Sequence, residues 1–288
     1  MTTPASHFVA ACVQLRASRD VACNIEAALG HVRTAAGNGA DLIITPEQTA
    51  LMELDRKVLF ANTFAEEDDP ALAALGALAA ELGIWLIIGS LAIRVRPDKV
   101  ANRQFVIDPN GRVVARYDKI HMFDVDLPGG ESYRESRNNL AGSIAITTDL
   151  PWGRAGLSIC YDVRFPGLYR DLARAGAIFL TIPAAFTRTT GEAHWRVLLR
   201  ARAIETGSFV FAAAQGGHHE NGRDTFGHSM IISPWGEILA EAGIEPGVIM
   251  AGIDPAQAAD ARRRIPSLGH DRSFTLRHAM TPPKARAS

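Results

Sequence analysis

The 288-residue chain is short of cysteine, of unbalanced charge and of long apolar runs, and each shortage excludes something. Three cysteines, an odd and sparse set, cannot make a disulfide framework and fit a reducing compartment, so a cytoplasmic protein is expected. There are 30 basic against 31 acidic residues, a net charge of −1, and no basic stripe, which speaks against a nucleic-acid partner. The acidic excess is also too weak to call for a cationic substrate. No apolar stretch approaches the roughly 20 residues that cross a bilayer, so no membrane partner is expected. The opening segment "MTTPASHFVAACVQLRASRD" has no basic leader, and Arg16 and Arg19 follow its short apolar run. It reads as a first strand and not as a signal peptide.

What remains is 47% hydrophobic, enough for a sizeable core. "FVAACVQL" and "DLIITPE" have the character of short buried strands, the second closed by Pro46. Between them Ile25, Leu29 and Val32 recur at helical spacing. "DPALAALGALAAELG" is an Ala/Leu-rich helix with a glycine stop. "IWLIIGSLAIRV" and "ANRQFVID" read as paired strands, and "DPNG" turns into "RVVARYD". The runs "AGLSIC", "AIFLTIP" and "SFVFAAAQ" are continuously apolar and short, as strands covered on both faces are. Helical patterns, "FPGLYRDLARAGA" and "GEAHWRVLLRARAIETG", separate them. "FGHSMIISPWGEILAEAG" reads as a hairpin, followed by a last strand and helix and a mobile tail, "TPPKARAS". No linker or repeat divides the chain, so one α/β domain is expected. Residues 118–142 resist assignment, although Phe123, Val125 and Leu127 alternate with acids there.

Three groups could carry chemistry. Cys12 and Cys23 read as small structural residues. Cys160 ends an apolar strand just before a turn into a helix, where helix-start N–H groups can stabilise negative charge. It is either a core residue at a strand end or a nucleophile, and a nucleophile needs a base and a positive neighbour to form thiolate. Glu47 also ends a strand and is either that base or a surface carboxylate. Lys119 opens the unassigned segment and is either a charge partner or a solvated lysine. The histidines, including the pair in "GGHHENG", lack metal-ligand spacing and read as hydrogen-bonded loop residues, so no metal is expected.

"TPEQTA", "RYDKIHMFDVD" and "LSICYDVRFPGLYRDLARAGA" together resemble, in order, the three signature segments of the nitrilase superfamily, the carbon–nitrogen hydrolases. The resemblance runs on through "AAFTRTTGEAHWRVLLRARAIETGSFVFAAAQ" and "FGHSMIISPWGEILAEAG", covering roughly residues 7 to 270. It implies a four-layer αββα sandwich over residues 1–270, with 271–288 as an extension that is mobile or contacts a partner subunit. Periodicity alone does not separate that architecture from a doubly wound sheet. The resemblance also implies a homodimer or a higher dimer-based oligomer. For the site it implies Glu47 as general base, Lys119 as fixed positive charge, Cys160 as nucleophile and Glu135, from "YRES", as a second glutamate. The Tyr161 backbone N–H joins Lys119 as an oxyanion donor. No cofactor is implied.

Within the superfamily, "RARAIETGSFVFAAAQGGHHENGRDTFGHSM" is similar to the Nit-type branch. That implies an amidase converting a small carboxylate-bearing amide to acid plus ammonia through a cysteine thioester, with deaminated glutathione or ω-amides of dicarboxylates as substrates. Arg164 and Arg188 are then candidate pocket cations, with Phe186 and Thr190 shaping the pocket. Arg164 could instead brace the turn by bonding Asp162 or a backbone carbonyl. The other activities to weigh are an N-carbamoyl amino acid amidohydrolase, an aliphatic amidase and a nitrilase. Outside catalysis, the alternative is a homodimeric scaffold.

Overall fold

A computed structural model of the chain describes residues 7–127 and 130–278. The mobile tail expected at "TPPKARAS" lies outside the described residues. The first part of the chain supplies β1 (Phe8–Gln14), α1 (Val21–Gly37), β2 (Leu42–Ile44), α2 (Arg56–Ala61), α3 (Pro70–Leu82), β3 (Trp85–Arg96), β4 (Lys99–Ile107) and β5 (Val113–Asp118). A small hairpin of β6 (Asp124–Asp126) and β7 (Ser132–Arg134) follows. The second part supplies β8 (Thr147–Leu150), β9 (Gly153–Leu157), α4 (Pro166–Arg174), β10 (Phe179–Thr181), α5 (Arg188–Thr206) and β11 (Phe209–Ala212). It continues with the hairpin β12 (Gly216–His218) and β13 (Asp224–Phe226), then β14 (Met230–Ile232), β15 (Ile238–Glu241), β16 (Gly247–Ile253) and α6 (Ala256–Arg264).

Two six-stranded sheets result, with orders β16-β1-β2-β3-β4-β5 and β15-β14-β11-β10-β9-β8. Strands alternate their side chains between faces, so each row of residues shows what covers it. Ala11 and Val13 of β1 join a core with Ala28 and Val32 of α1 and Leu75 and Leu78 of α3. Phe8, Ala10 and Cys12 point the other way and join the core of the second sheet, where the Phe8 and Phe179 rings meet edge to face at 5.5 Å. On the far side of that sheet a Cβ on Gly156 would lie 3.0 Å from Leu172 of α4. The layers therefore run helix, sheet, sheet, helix. This is the αββα sandwich, not a single doubly wound sheet.

Each sheet has the same plan: three parallel strands in its middle, β1-β2-β3 or β9-β10-β11, flanked by antiparallel ones. The apolar runs that read as doubly covered strands, at residues 179–181 and 209–212, are those central strands. The "SPWGE" hairpin forms between β14 and β15. Cys12 is buried, but Cys23 is exposed at the start of α1, so the core role holds for Cys12 alone. No helix among the described residues is long and apolar enough to cross a membrane.

One boundary moved. The helical pattern reads from Gly191, yet α5 already begins at Arg188 and takes in Thr190. Gly191 is there for packing and not as a break: a Cβ on it would sit 2.3 Å from the Phe226 side chain. Residues 118–142 hold the hairpin β6–β7 and a short turn of 3-10 helix at Glu135–Arg137.

Candidate active site

Glu47, Lys119 and Cys160 follow the C-terminal ends of β2, β5 and β9, where ligand crevices form in α/β sheets. The Glu47 turn is held against β3 by Gly89. A Cβ there would lie 2.1 Å from the Thr45 carbonyl oxygen, and the Gly89 N–H donates to Thr45 Oγ1 at 3.0 Å. Glu47 itself is buried. Its Oε1 accepts from Lys119 Nζ at 3.0 Å and Asn102 Nδ2 at 2.8 Å, and its Oε2 accepts from the Ala185 N–H at 2.8 Å.

The buried Lys119 also donates to both carboxylate oxygens of Glu135, at 3.0 and 2.8 Å. Glu135 accepts in addition from Asn102 Nδ2 at 3.2 Å and from the Phe123 N–H at 2.7 Å. The hairpin β6–β7 therefore leads the chain out after Lys119 and back so that Glu135 meets it. That return explains the segment that resisted assignment.

Cys160 opens a short 3-10 turn at Cys160–Arg164 with its φ at +50°, a left-handed conformation that costs a non-glycine residue about 1–2 kcal/mol. Its N–H donates to the Pro183 carbonyl at 2.9 Å. Asp162, fully buried, ties this turn to the segment around Lys119. It accepts from the Ile159 N–H at 2.9 Å, from the Tyr117 hydroxyl at 2.7 Å and from the His121 N–H at 3.1 Å. Its Oδ1 also lies 2.7 Å from His121 Nδ1.

The electrostatics leave a charged pair beside a neutral thiol. Burial alone would push the Glu47 carboxyl up, but the charge and hydrogen bond of Lys119, with further positive charge from Arg223, bring it below its ordinary value. Burial would push Lys119 down, but the carboxylates of Glu135 and Glu47 hold it well above its usual range. Burial and then the Glu47 charge push the Cys160 thiol up, offset only in part by Lys119 and the Ala185 N–H.

All four side chains line one cavity of about 540 Å³, with Tyr161, Phe186 and Thr190 also in its wall. Tyr161 sits in the first turn of its short helix, where backbone N–H groups have no partner within the helix. Arg164 and Arg188 are not brought to that wall. Arg164 lies over the Phe186 and Tyr161 rings, 5.3 and 5.9 Å from their centroids, and contacts His194 Nδ1 at 3.3 Å. Among the described residues it bonds neither Asp162 nor a backbone carbonyl. Arg188 is exposed and pairs with Glu192 one turn along α5 at 3.0 Å. The cations of the wall are instead Arg56, Lys119, Arg134, Arg137 and Arg223.

Asn102, Asp162, Gln215 and Arg223 were not singled out from the sequence. Gln215 Nε2 donates to the Glu47 and Gln48 carbonyls at 3.0 and 3.1 Å. Asn102 and Gln215 left a trace: Asn102 lies within the strand-like run "ANRQFVID" and Gln215 ends "SFVFAAAQ", and a buried polar residue needs a partner.

The geometry agrees with comparisons to known proteins. The family model described as carbon-nitrogen hydrolase matches residues 9–263. A deaminated glutathione amidase from Synechocystis is 40% identical over 268 residues, covering 91% of this chain and 97% of that protein. The crystal structure of the Caenorhabditis elegans NitFhit protein superposes with a TM-score of 0.87 at 34% identity, over 94% of this chain and 66% of that one. Saccharomyces cerevisiae Nit3, a member of branch 10 of the nitrilase superfamily, gives 0.82 at 26% identity, over 92% and 97%. This chain belongs to the carbon–nitrogen hydrolase family and is a hydrolase of carbon–nitrogen bonds in non-peptide amides.

Proposed function

We propose that the protein is an amidase that hydrolyses a small amide bearing a carboxylate, such as deaminated glutathione or the ω-amide of a dicarboxylate, through a thioester on Cys160. The observation that carries this reading is the buried chain of contacts from Glu135 through Lys119 to Glu47, beside a thiol that lines the same cavity. A thiol pushed up by burial does not ionise at rest, so its proton must leave as the new bond forms. Glu47, held as a carboxylate by Lys119, takes that proton while the sulfur attacks the amide carbon. The carbonyl oxygen becomes an oxyanion, stabilised by the Lys119 charge and the Tyr161 N–H. Losing one such donor costs about 10²–10³ in rate. Glu47 passes the proton to the leaving nitrogen, the carbon–nitrogen bond breaks, and the acyl group stays on sulfur. The amine released is ammonia from a primary amide and a larger amine from a secondary one. Water then attacks the thioester, giving its proton to Glu47. The carbon–sulfur bond breaks, and Glu47 returns the proton to Cys160. Glu135 holds Lys119 charged and in place.

The Nit-type branch supports the substrate class, because the deaminated glutathione amidase from Synechocystis spans nearly the whole chain. A homodimer formed on the outer face of α5 belongs to the same reading. Val197 and Ile204 are exposed there, with exposed Trp235 in the neighbouring turn, apolar side chains that a second copy would bury. Phe274 and Leu276 are also exposed, in the extension proposed to begin at residue 271. The cysteines among the described residues are all free, as suits a cytoplasmic protein.

The test is acid product formed from deaminated glutathione, succinamate, an N-carbamoyl amino acid and a simple nitrile, by the wild type and by Cys160→Ala. The first two should be hydrolysed, and the variant should lose at least about 10⁴-fold in rate. Unchanged turnover in the variant, or a clear preference for the carbamoyl compound or nitrile, would overturn the reading.

A further inference from the structure

The cavity wall holds five cations, and most are already committed. Lys119 sits between two carboxylates. Arg134 clasps Asp126 with bonds of 2.8 and 3.0 Å. Arg56 donates to Asn138 Oδ1 at 2.7 Å and to the Asp98 carbonyl at 3.1 Å. Arg137 is exposed at the rim. Arg56 and Arg137 make no carboxylate pair among the described residues, but of the five only Arg223 is left with a buried guanidinium nitrogen that has no partner. Among the described residues it too pairs with no carboxylate: its Nη2 donates to the Ala185 carbonyl, and its Nη1 lies 3.9 Å from Met52 Sδ. Its Nε is buried without any acceptor.

The surroundings hold this guanidinium still. Arg223 closes the turn between β12 and β13: its carbonyl accepts from the His219 N–H at 2.8 Å, and its N–H donates to Asn221 Oδ1 at 3.0 Å. Asn221 Nδ2 reaches the Met52 carbonyl at 3.2 Å. His219 is buried between the Ala17 carbonyl, 2.8 Å from Nδ1, and Thr225 Oγ1, 2.7 Å from Nε2. Tyr133, on the hairpin that carries Glu135, lies with its ring centroid 5.3 Å from the guanidinium carbon. The "HHENGR" segment is thus a rigid mount for one arginine. A half-buried guanidinium with an unused N–H is expensive unless an anion completes it, and its planar fork suits a carboxylate.

Its place defines what it would bind. The Ala185 carbonyl takes Arg223, and the Ala185 N–H donates to Glu47. The arginine is therefore one peptide unit from the reacting groups. Deaminated glutathione and the ω-amides share one charged feature, a carboxylate on the acyl chain. We propose that Arg223 receives that acyl-chain carboxylate, and so selects monoamides of short dicarboxylic acids over uncharged amides. This rests on the amidase reading above.

The experiment compares succinamate with its uncharged isostere 4-methylpentanamide in the wild type, Arg223→Met and Arg223→Lys. It also measures succinate binding to the same proteins by calorimetry. For succinamate, kcat/KM should fall about 10- to 100-fold in Arg223→Met, chiefly through KM. The isostere shares only the lost positive charge beside Glu47 and should lose clearly less than succinamate, while succinate binding should weaken about as much as succinamate turnover. Arg223→Lys keeps the positive charge near Glu47 but loses the fork, and should recover only part of the loss. Equal losses on both substrates, or unchanged succinate binding in Arg223→Met, would overturn the assignment in favour of a purely structural role. A wild type that hydrolyses both amides equally would also overturn it, while leaving the amidase reading standing. Failure to hydrolyse any amide would remove the amidase reading, and succinate binding would still decide whether Arg223 is an anion site.

Discussion

The two sheets present their key residues on matching turns, one after β2 and one after β9, and the turns hold them in opposite ways. After β2, Glu47 is followed by Gln48 at φ +56°; after β9, Cys160 itself takes φ +50°. In the first turn the unusual backbone lies one residue beyond the functional group. It is braced by Ser90 Oγ, which accepts from the Gln48 N–H at 2.9 Å, and by the two donations of Gln215. In the second turn Cys160, the proposed nucleophile, carries the strain itself, and a separate residue, Asp162, supplies the bracing. The lesson is a division of labour. Glu47, the proposed base, is immobilised by many bonds to its own carboxylate and backbone, whereas the thiol is aimed by backbone conformation and left without a strong bond of its own.

The largest break in that comparison is Glu47→Gln, which removes the base's charge and keeps its shape. Amide hydrolysis should fall about 10³-fold or more. The Glu47 charge is one of the two main influences that push the Cys160 thiol up. Alkylation of Cys160 should therefore move to lower pH in this variant, even as turnover is lost. Alkylation that stays put, or moves to higher pH, would mean that Glu47 does not act on the thiol.

Gly89→Ala attacks the mounting of the same carboxylate. The added Cβ would meet backbone on two residues of the Glu47 turn, which cannot yield as a side chain can. A loss of about 2–4 kcal/mol in stability, read by denaturant midpoint, should accompany reduced activity. An unaffected midpoint would show that the turn is softer than its contacts suggest.

The smallest effect sharpens the comparison most. Cys160→Gly and Cys160→Ala should both be inactive, but glycine accepts φ +50° freely, so the glycine variant should be about 1 kcal/mol the more stable. Equal stabilities would mean that the Cys160 backbone carries little strain.

Local patterns made much of this molecule legible. The strands of residues 8–14, 179–181 and 209–212 read correctly because an apolar run bounded by turn residues has few other uses. Cys160 and Glu47 were visible as strand-end residues, and only the ordered signature segments joined them to Lys119 and Glu135. Arg223 was hidden because it sits in a loop rich in polar residues, where nothing local separates a buried arginine from a solvated one. Arg164 and Arg188 misled for the converse reason. Closeness in sequence to Cys160 and to the pocket residue Phe186 does not put a side chain in the cavity, and both spend their charge elsewhere.

The sequence by itself determined most of the longer strands and helices and, through its motifs, the family and the four residues proposed for the site. Those properties depend on residues near one another in the chain or on signatures held in order. Tertiary structure alone decided that two sheets stack instead of one extending, that Asn102 bridges two glutamates, and that Arg223 is the cavity arginine with a buried nitrogen left without a partner among the described residues. Each of these depends on which surfaces meet across long stretches of chain, and burial, which sets the charge state of every group in the site, exists only once they have met.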